Sequence, residues 1–323
     1  MTLKRISGAM APVLVAAFAV IGSGVPAAQA EAVKLKAASF LPQRVIFAKH
    51  FYEWADKVNE ECAGEVEISV VGPAAVPSLE QWRALKTGVI DMHFGPPNYY
   101  KGEMVEADVT ILAKNGATAQ KENGAWAMLN DLHNEKLNAW YLTHIHDGVK
   151  FFLYTSKPHQ DGRFDGMRLR SVPIYDGFFR YLGADPVRMA PPEVGTALER
   201  GAVDGYGWPL WGVVDFGWHK FTKYRHGPGF FSANINLLVN LDRWNGLADS
   251  QRACLDRMTE WLDTEWPKWR AAEGENQAKM LADAGVEYVD LGAEWAATAE
   301  ALHWEALEEA SPEFIGKIRP LLQ

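Results

Sequence analysis

The sequence predicts an α/β protein built from two open-sheet lobes in tandem. Strand-like and helix-like segments alternate over residues 33–94 and again from Gly166 to Trp211. This alternation is typical of parallel sheets with helices packed on them. No sequence repeat accompanies it, so we expect the two lobes to be alike in architecture only. In open sheets of this kind, ligands bind in the crevice beyond the carboxyl ends of the strands.

The first thirty residues have the pattern of a cleavable secretory signal peptide. Lys4 and Arg5 precede an apolar run over residues 9–21, and residues 28–30, Ala-Gln-Ala, form a small-x-small cleavage site. The apolar run is too short for a membrane anchor, and no stop-transfer flank follows it. We therefore expect an exported protein, not inserted in a membrane, that begins near Glu31.

Composition argues against partners that need a basic surface. The formal net charge is −9, and removal of Lys4 and Arg5 would make it −11. A chain this acidic is poorly suited to nucleic acid or anionic lipid. An anion would therefore have to be held by a local cationic site. Residues 31–323 suffice for two domains, and no later stretch reaches the roughly eighteen apolar residues of a membrane span.

The chain has two cysteines, Cys62 and Cys254. In an exported protein they could form one disulfide. Each lies in a helix-like segment, which favours two buried thiols, and the disulfide stays open as the alternative.

The first lobe is predicted from its order of elements. Residues 45–61 place apolar side chains at a helical spacing, and Gly88 ends a shorter helix. The predicted elements are a strand over 33–40, a helix over 45–61, a strand over 66–71, a helix over 80–87 and a strand over 89–94. Residues 96–100, which include adjacent tyrosines, then form a loop at a carboxyl strand end.

The second lobe is predicted around the stretch from Gly166 to Trp211. A helix over 121–137 and strands over 139–144 and 150–155 come before it. The stretch opens with a basic strand over 167–172 and continues with a helix, a short apolar strand and a helix over 193–200. It closes on a tryptophan-rich loop over 206–211. Arg170 and this loop are expected at carboxyl strand ends, so we place the ligand site there.

The last part of the chain is expected to join the lobes. A strand over 235–241 should return to the first lobe. Residues 248–280 form a long amphipathic segment in which Pro267 predicts a kink or break. A helix of that length exceeds the diameter of one lobe, so it could brace both. A strand over 286–289 and helices over 294–318 complete the chain.

Several motifs in this order resemble those of the substrate-binding proteins of tripartite ATP-independent periplasmic (TRAP) transporters. They are Gly166-Met167-Arg168-Leu169-Arg170, Leu182-Gly183-Ala184-x-Pro186-Val187, the run from Glu193 to Gly205, the run from Leu85 to Met92, Lys157-Pro158 and Asn240-Leu241-Asp242-x-Trp244. The resemblance covers essentially the whole chain after the signal peptide.

This resemblance implies a type II-like, two-lobed periplasmic binding protein fold, with open sheets flanked by helices and a long kinked helix bracing both lobes. The ligand would lie in the cleft, and the lobes would close on it by a hinge motion. We assign residues 31–152 and 241–280 to lobe 1, and residues 153–240 and 281–323 to lobe 2.

The function implied is capture of an organic acid in the periplasm and its delivery to the integral membrane subunits of a TRAP permease. We expect a monomer with no enzyme activity, cofactor or nucleic-acid partner. The alternatives are a binding protein of another importer class and, less favoured, a secreted enzyme on the same fold. The sequence has no nucleophile elbow, zinc-protease helix, Cys-x-x-Cys pair or phosphate loop.

The resemblance also implies that Arg170 grips the substrate carboxylate. A guanidinium matches a carboxylate in a planar, bidentate geometry and stays charged when it is buried. Arg168, deeper in the same strand, is interpreted as structural. The other candidate ligand-binding residues are Trp208, Tyr99, Asn98, Lys150, Glu80, Trp211 and Phe40.

Two departures from the family pattern bear on the ligand. Many members carry a second basic residue on the strand before the Lys-Pro turn, where Lys150 is nearest here. Many also carry an asparagine shortly after the Val-Asp-Gly motif, where this chain has Trp208. Sugar acids, dicarboxylates, 2-oxo acids and aromatic acids all stay open, and Trp208 favours a smaller or more apolar acid. His144 and His146 share a strand face, but no third ligand is evident, so no metal site is predicted.

Overall fold

The computed structural model describes residues 1–2 and 32–323. The predicted signal peptide, apart from its first two residues, lies outside the described residues. The described part of the chain is an α/β protein with two mixed sheets flanked by helices, so the predicted fold class is confirmed. Between residues 32 and 323, no helix has the length and apolar character that crossing a membrane requires.

Five strands form the first sheet, in the spatial order β2-β1-β3-β10-β4. They are β1 (Val33–Ser39), β2 (Val66–Val71), β3 (Met92–Gly95), β4 (Ala139–Ile145) and β10 (Ile235–Asn240). Strands β2, β1 and β3 are parallel, whereas β10 is antiparallel to both β3 and β4. The prediction that the strand beginning at Ile235 returns to the first lobe is confirmed.

Six strands form the second sheet, in the order β11-β9-β5-β8-β6-β7. They are β5 (Phe151–Thr155), β6 (Arg168–Ser171), β7 (Asp185–Arg188), β8 (Gly205–Pro209), β9 (Tyr224–Gly227) and β11 (Glu287–Asp290). Strand β6 is parallel to β7 and β8, and β5 is antiparallel to β8 and β9. By sheet membership, the chain passes between the sheets over residues 146–150, 228–234 and 241–286. The exact lobe boundaries stay a prediction.

The helices pack around these two sheets. They are α1 (Ile46–Glu61), α2 (Gln81–Lys86), α3 (Ala117–Asn123), α4 (Ala125–Leu137), α5 (Pro173–Tyr181), α6 (Pro191–Glu199), α7 (Leu241–Asn245), α8 (Asp249–Asp283), α9 (Ala293–Ala310) and α10 (Pro312–Ile318). Short 3-10 turns cover Pro97–Tyr99, Val105–Leu112, Trp218–Phe221 and Arg319–Leu321. The single helix predicted over 121–137 is wrong, because Gly124 at φ +90° separates α3 from α4.

The predicted loop over residues 206–211 is also wrong in its first part. Residues Gly205–Pro209 form strand β8, and all five are buried. A Cβ on Gly205 would lie 2.2 Å from the Tyr154 carbonyl oxygen, and one on Gly207 would lie 2.9 Å from the Tyr175 ring. The glycines therefore mark the close approach of neighbouring groups to a buried strand.

Helix α8 makes contacts in both lobes, as predicted. Near its start, the Trp54 indole donates a hydrogen bond to the Met258 carbonyl (3.0 Å). Near its end, Gln277 accepts one from the backbone N–H of Gly212 (3.2 Å), just beyond β8. The helix continues through Pro267 without a break. Its side chains are anchored on both sides of the proline, since Asp263 pairs with Lys121 and Arg270 donates to the Asp147 carbonyl.

Cys62 and Cys254 form a disulfide, with 6.0 Å between their Cα atoms. The favoured interpretation of two separate thiols was therefore wrong. Cys62 caps the C-terminus of α1, and Cys254 lies in the second turn of α8. The two sulfurs meet because α1 and α8 pack against each other, which is a long-range contact that neither local sequence reveals.

Candidate functional site

A cavity with about 360 Å³ of empty space, counted up to its open mouth, receives side chains from both sheets. The loop after β3 and the end of β6 both reach it, so it lies beyond carboxyl strand ends as the fold class predicts. Its lining residues are Phe40, Phe47, Pro96, Asn98, Tyr99, Phe151, Arg170, Val172, Tyr175, Trp208, Pro209 and Ile235.

Arg170 supplies the charge in this cavity. Its side chain is buried, with 1% of the residue exposed. Nε donates to the Met189 carbonyl (3.0 Å) and Nη1 to the Gly207 carbonyl (3.2 Å). Nη2 has no hydrogen-bond partner among the described residues, and no carboxylate of that part of the chain pairs with the guanidinium. A buried cation whose partners are all neutral is costly unless an anion approaches it.

Trp208 forms one wall next to this charge. The guanidinium carbon of Arg170 lies 5.4 Å from the centroid of the Trp208 ring, a cation–π distance. The indole N–H donates to the Trp211 carbonyl (2.9 Å), and the ring packs edge-on against Trp218. Trp208 is thereby fixed in orientation, and it lines the cavity next to Arg170.

Two tyrosines bring hydroxyl groups near the guanidinium. Burial raises the pKa of Tyr99, and the charge of Arg170 opposes that rise. Burial also raises the pKa of Tyr175 well above its usual value, again with Arg170 opposing. Both phenols are therefore protonated at neutral pH and can donate hydrogen bonds. Asn98, buried beside Tyr99 in the loop after β3, adds an amide.

Five of the residues predicted for the site do line the cavity: Arg170, Trp208, Tyr99, Asn98 and Phe40. Three others lie elsewhere. Trp211 is buried behind the wall, where it packs on Phe47 and Trp266. Lys150 is exposed beyond the lining, and Glu80 is exposed and pairs with Arg83 (2.5 Å). Their assignment to ligand contact stays a prediction.

The sequence reasoning did not assign the remaining lining residues to the site, and Tyr175 is the most important of them. It occupies the first turn of α5, directly after the strand that carries Arg170. Because Tyr175 lies in the helix that follows the strand carrying Arg170, its sequence position could have identified it as a site residue. Phe47, Phe151 and Ile235 gave no such signal, because in sequence they are indistinguishable from core residues.

The arrangement can hold an anion, and the described residues that line the cavity include no second charged group. Over the described residues, no group of three or more His, Cys, Asp or Glu side chains is placed to hold a metal ion. The two histidines at which the sequence predicts no metal site, His144 and His146, are buried among aromatic rings. The Nδ1 atom of His144 and the Tyr141 hydroxyl form a hydrogen bond (2.7 Å), and the His146 ring packs against Trp266.

Comparison with known proteins agrees with this geometry. A family model described as bacterial extracellular solute-binding protein, family 7, matches residues 37–310. An extracytoplasmic solute receptor of Bordetella pertussis that binds pyroglutamic acid has a similar structure, with a TM-score of 0.80, 13% identity, and coverage of 90% of this chain and 99% of that one.

Two further solved structures are similar in fold. A TRAP periplasmic solute-binding protein from Ralstonia eutropha with bound (S)-2-acetolactate has a TM-score of 0.74 and 20% identity, covering 90% of this chain and 98% of that one. A TRAP periplasmic solute-binding protein from Roseobacter denitrificans with bound L-galactonate has a TM-score of 0.78 and 16% identity, covering 91% and 99%.

Proposed function

The chain belongs to the bacterial extracellular solute-binding protein family 7, and we propose that it captures an organic acid and delivers it to the membrane subunits of a TRAP transporter. The observation that carries this proposal is the buried Arg170, whose Nη2 lacks a hydrogen-bond partner among the described residues, in a cavity lined mainly by aromatic and other apolar side chains. The structurally similar receptors bind pyroglutamic acid, acetolactate and galactonate, each of which carries a carboxylate.

In this proposal the carboxylate binds the edge of the guanidinium that the protein leaves free. Two of the five N–H groups of Arg170 are taken by the Met189 and Gly207 carbonyls, which fix the orientation of the fork. The remaining donors then meet two carboxylate oxygens in a charge-assisted pair. Closure of the two lobes would remove water and strengthen that pair, because electrostatic attraction increases as the local dielectric falls.

The proposal includes the wider setting inferred from the sequence. The protein would be exported by its signal peptide, act in the periplasm as a monomer, and need no cofactor, metal or nucleic acid. It would bind without catalysis, since the described residues that line the cavity offer an arginine, two tyrosines and an amide but no paired nucleophile and base. Stoichiometric binding of an acid with no product after long incubation is the expected result, and formation of a product would contradict it.

The central test is Arg170→Ala, with Arg168→Ala as the matched control. Arg168 lies two residues earlier on β6, is half-exposed and bonds to the Gly201 carbonyl outside the cavity. A thermal-shift screen against a library of organic acids should identify ligands for the wild-type protein and for Arg168→Ala. Arg170→Ala should lose at least about 30-fold in affinity, since breaking a buried charged pair costs roughly 2–5 kcal/mol.

Folding of the variants is checked independently by far-UV circular dichroism. If Arg170→Ala does not fold, Arg170→Lys provides the second variant, because it retains a charge but loses the planar fork. It should bind the same acid more weakly than wild type. Undiminished acid binding by a folded Arg170 variant would overturn the proposal.

A further inference from the structure

We propose that the ligand is a small monocarboxylate with an apolar body, whose other polar group lies on the carbon next to the carboxylate. This inference rests on the proposed capture of an acid at Arg170 and goes further by naming the chemical class. Three properties of the cavity carry it: the number of charges, the placement of the polar groups and the nature of the remaining walls.

The cavity offers one charge. Arg170 is the single charged side chain among the described residues that line it. Two other basic residues, Arg44 and Lys150, do not supply a second charge to the lining. Arg44 is exposed and donates to the Asp215 carbonyl (3.0 Å), while Lys150 is exposed outside the lining. A second carboxylate on the ligand would therefore be buried without a cation, which is strongly unfavourable.

The polar groups gather around that charge. Tyr99 and Tyr175 line the cavity together with Arg170, and both lie close enough to its charge for that charge to oppose the rise in their pKa. Asn98 directly precedes Tyr99 in the chain. Because these donors surround the place where the carboxylate would bind, they can also serve an oxygen on the adjacent carbon. They cannot serve polar groups distributed along a long chain.

The rest of the lining is apolar. Phe47 and Trp208 lie 6.3 Å apart by ring centroids, and Phe151 and Ile235 contribute further hydrocarbon surface. A polyhydroxylated acid would bury several hydroxyl groups against these walls without hydrogen-bond partners, each at a cost. A branched aliphatic or aromatic group would instead be buried favourably against these walls.

Isothermal titration calorimetry with matched acids tests two of these properties, the single charge and the apolar walls of the cavity. The probes are 4-methyl-2-oxopentanoate, 2-oxoglutarate and galactonate. The first two share a 2-oxo acid head and differ at the far end, where one has an isopropyl group and the other a carboxylate. We expect 4-methyl-2-oxopentanoate to bind at least about 100-fold more tightly than either of the others, because they would bury unpaired polar groups.

A second comparison tests the placement of the polar groups. Wild-type protein should prefer 4-methyl-2-oxopentanoate over 4-methylpentanoate, which lacks the oxo oxygen, by at least about tenfold. In the double variant Tyr99→Phe with Tyr175→Phe, that preference should shrink to about threefold or less, while the carboxylate still binds at Arg170. Since only hydroxyl groups are removed, the aromatic packing is retained.

The outcomes separate this inference from the proposed function. If 2-oxoglutarate or galactonate binds as tightly as 4-methyl-2-oxopentanoate and Arg170→Ala abolishes that binding, acid capture stands and the class is wrong. If the oxo preference persists in the double tyrosine variant, the placement of the polar groups is wrong. If no acid in the library binds in an Arg170-dependent manner, the proposed function and this inference both fail.

Discussion

At the residue scale, the cavity depends on how Arg170 and Trp208 are fixed. The guanidinium is oriented by two backbone carbonyls, and the indole is oriented by its bond to the Trp211 carbonyl. Within the part of the chain that the structure describes, neither side chain is held by a carboxylate that a substrate would have to displace. The protein therefore orients its binding groups through neutral partners and leaves the charge of Arg170 for the ligand.

We predict that Trp208→Ala both destabilises the protein and weakens acid binding. The buried indole packs against Phe47, Phe216 and Trp218, so truncation leaves a void and should cost about 3–5 kcal/mol of unfolding free energy. Urea unfolding measures the loss. Trp208→Phe is the control, since it retains a ring in contact with Arg170 and should lose less than half as much. An unchanged urea midpoint for the alanine variant would contradict the packing of Trp208 in the cavity wall.

At the element scale, strand β8 supports the side chains of Arg170 and Tyr175. It lies between β5 and β6 in the second sheet, and its Gly207 both accepts from Arg170 and lies under the Tyr175 ring. A side chain at this position would clash with the Tyr175 ring. Gly207 is thus needed for the close packing of strand β8 against Tyr175, and it does not belong to a flexible loop.

Gly207→Ala should cost about 1–3 kcal/mol in stability and reduce acid affinity, because the new Cβ would lie 2.9 Å from the Tyr175 ring. Gly195→Ala in α6 is the matched control. There the new Cβ meets Trp218 at 3.7 Å, an ordinary contact, and the change should be neutral or slightly stabilising in a helix. Thermal melts and titration calorimetry of both variants decide the point. Equal effects of the two substitutions would refute the close packing at β8.

The disulfide gives a second prediction at this scale. Cys62 and Cys254 are 192 residues apart in sequence, so their bond restricts a large part of the unfolded chain. The double variant Cys62→Ser with Cys254→Ser should lose about 2–5 kcal/mol. Its thermal midpoint should be insensitive to reductant, whereas that of wild type should fall when dithiothreitol is present. Detection of two free thiols in the unreduced, folded wild-type protein by mass spectrometry would disprove the bond.

At the scale of the whole molecule, the buried histidines make stability depend on pH. Burial lowers the pKa of each of six histidines to about 3 or 4: these are His50, His93, His133, His144, His226 and His303. In the unfolded chain a histidine titrates near 6.5. Below pH 6.5 these histidines are therefore protonated in the unfolded state but stay neutral in the folded state, and the unfolding free energy falls.

We predict full stability above about pH 7 and a steep decline between pH 6.5 and 4. Each buried histidine contributes up to about 1.4 kcal/mol per pH unit in that window. Burial raises the pKa of Asp108, Asp147 and Asp263, so these groups take up protons in the folded state and partly oppose the decline. The thermal midpoint should still fall by more than about 10 °C between pH 7 and pH 5.

Calorimetry or circular dichroism melts at half-unit pH steps measure this dependence. His93 has no hydrogen bond at either ring nitrogen among the described residues, so His93→Leu should flatten the decline. A thermal midpoint that does not change from pH 7 to pH 5 would show that the histidines are protonated or exposed in the folded protein.

The sequence by itself determined the class of fold, most element positions and the residue that carries the charge. Periodicity, glycine positions and local motifs are short-range information, and they sufficed for β6 with Arg170 and for the aromatic loop after β3. The disulfide, the strand at Gly205–Pro209 and the presence of Phe47, Phe151 and Ile235 in the cavity were decided by the tertiary structure alone. Each depends on segments distant in sequence meeting in space, and a buried aromatic residue has the same sequence pattern whether it faces the core or a ligand.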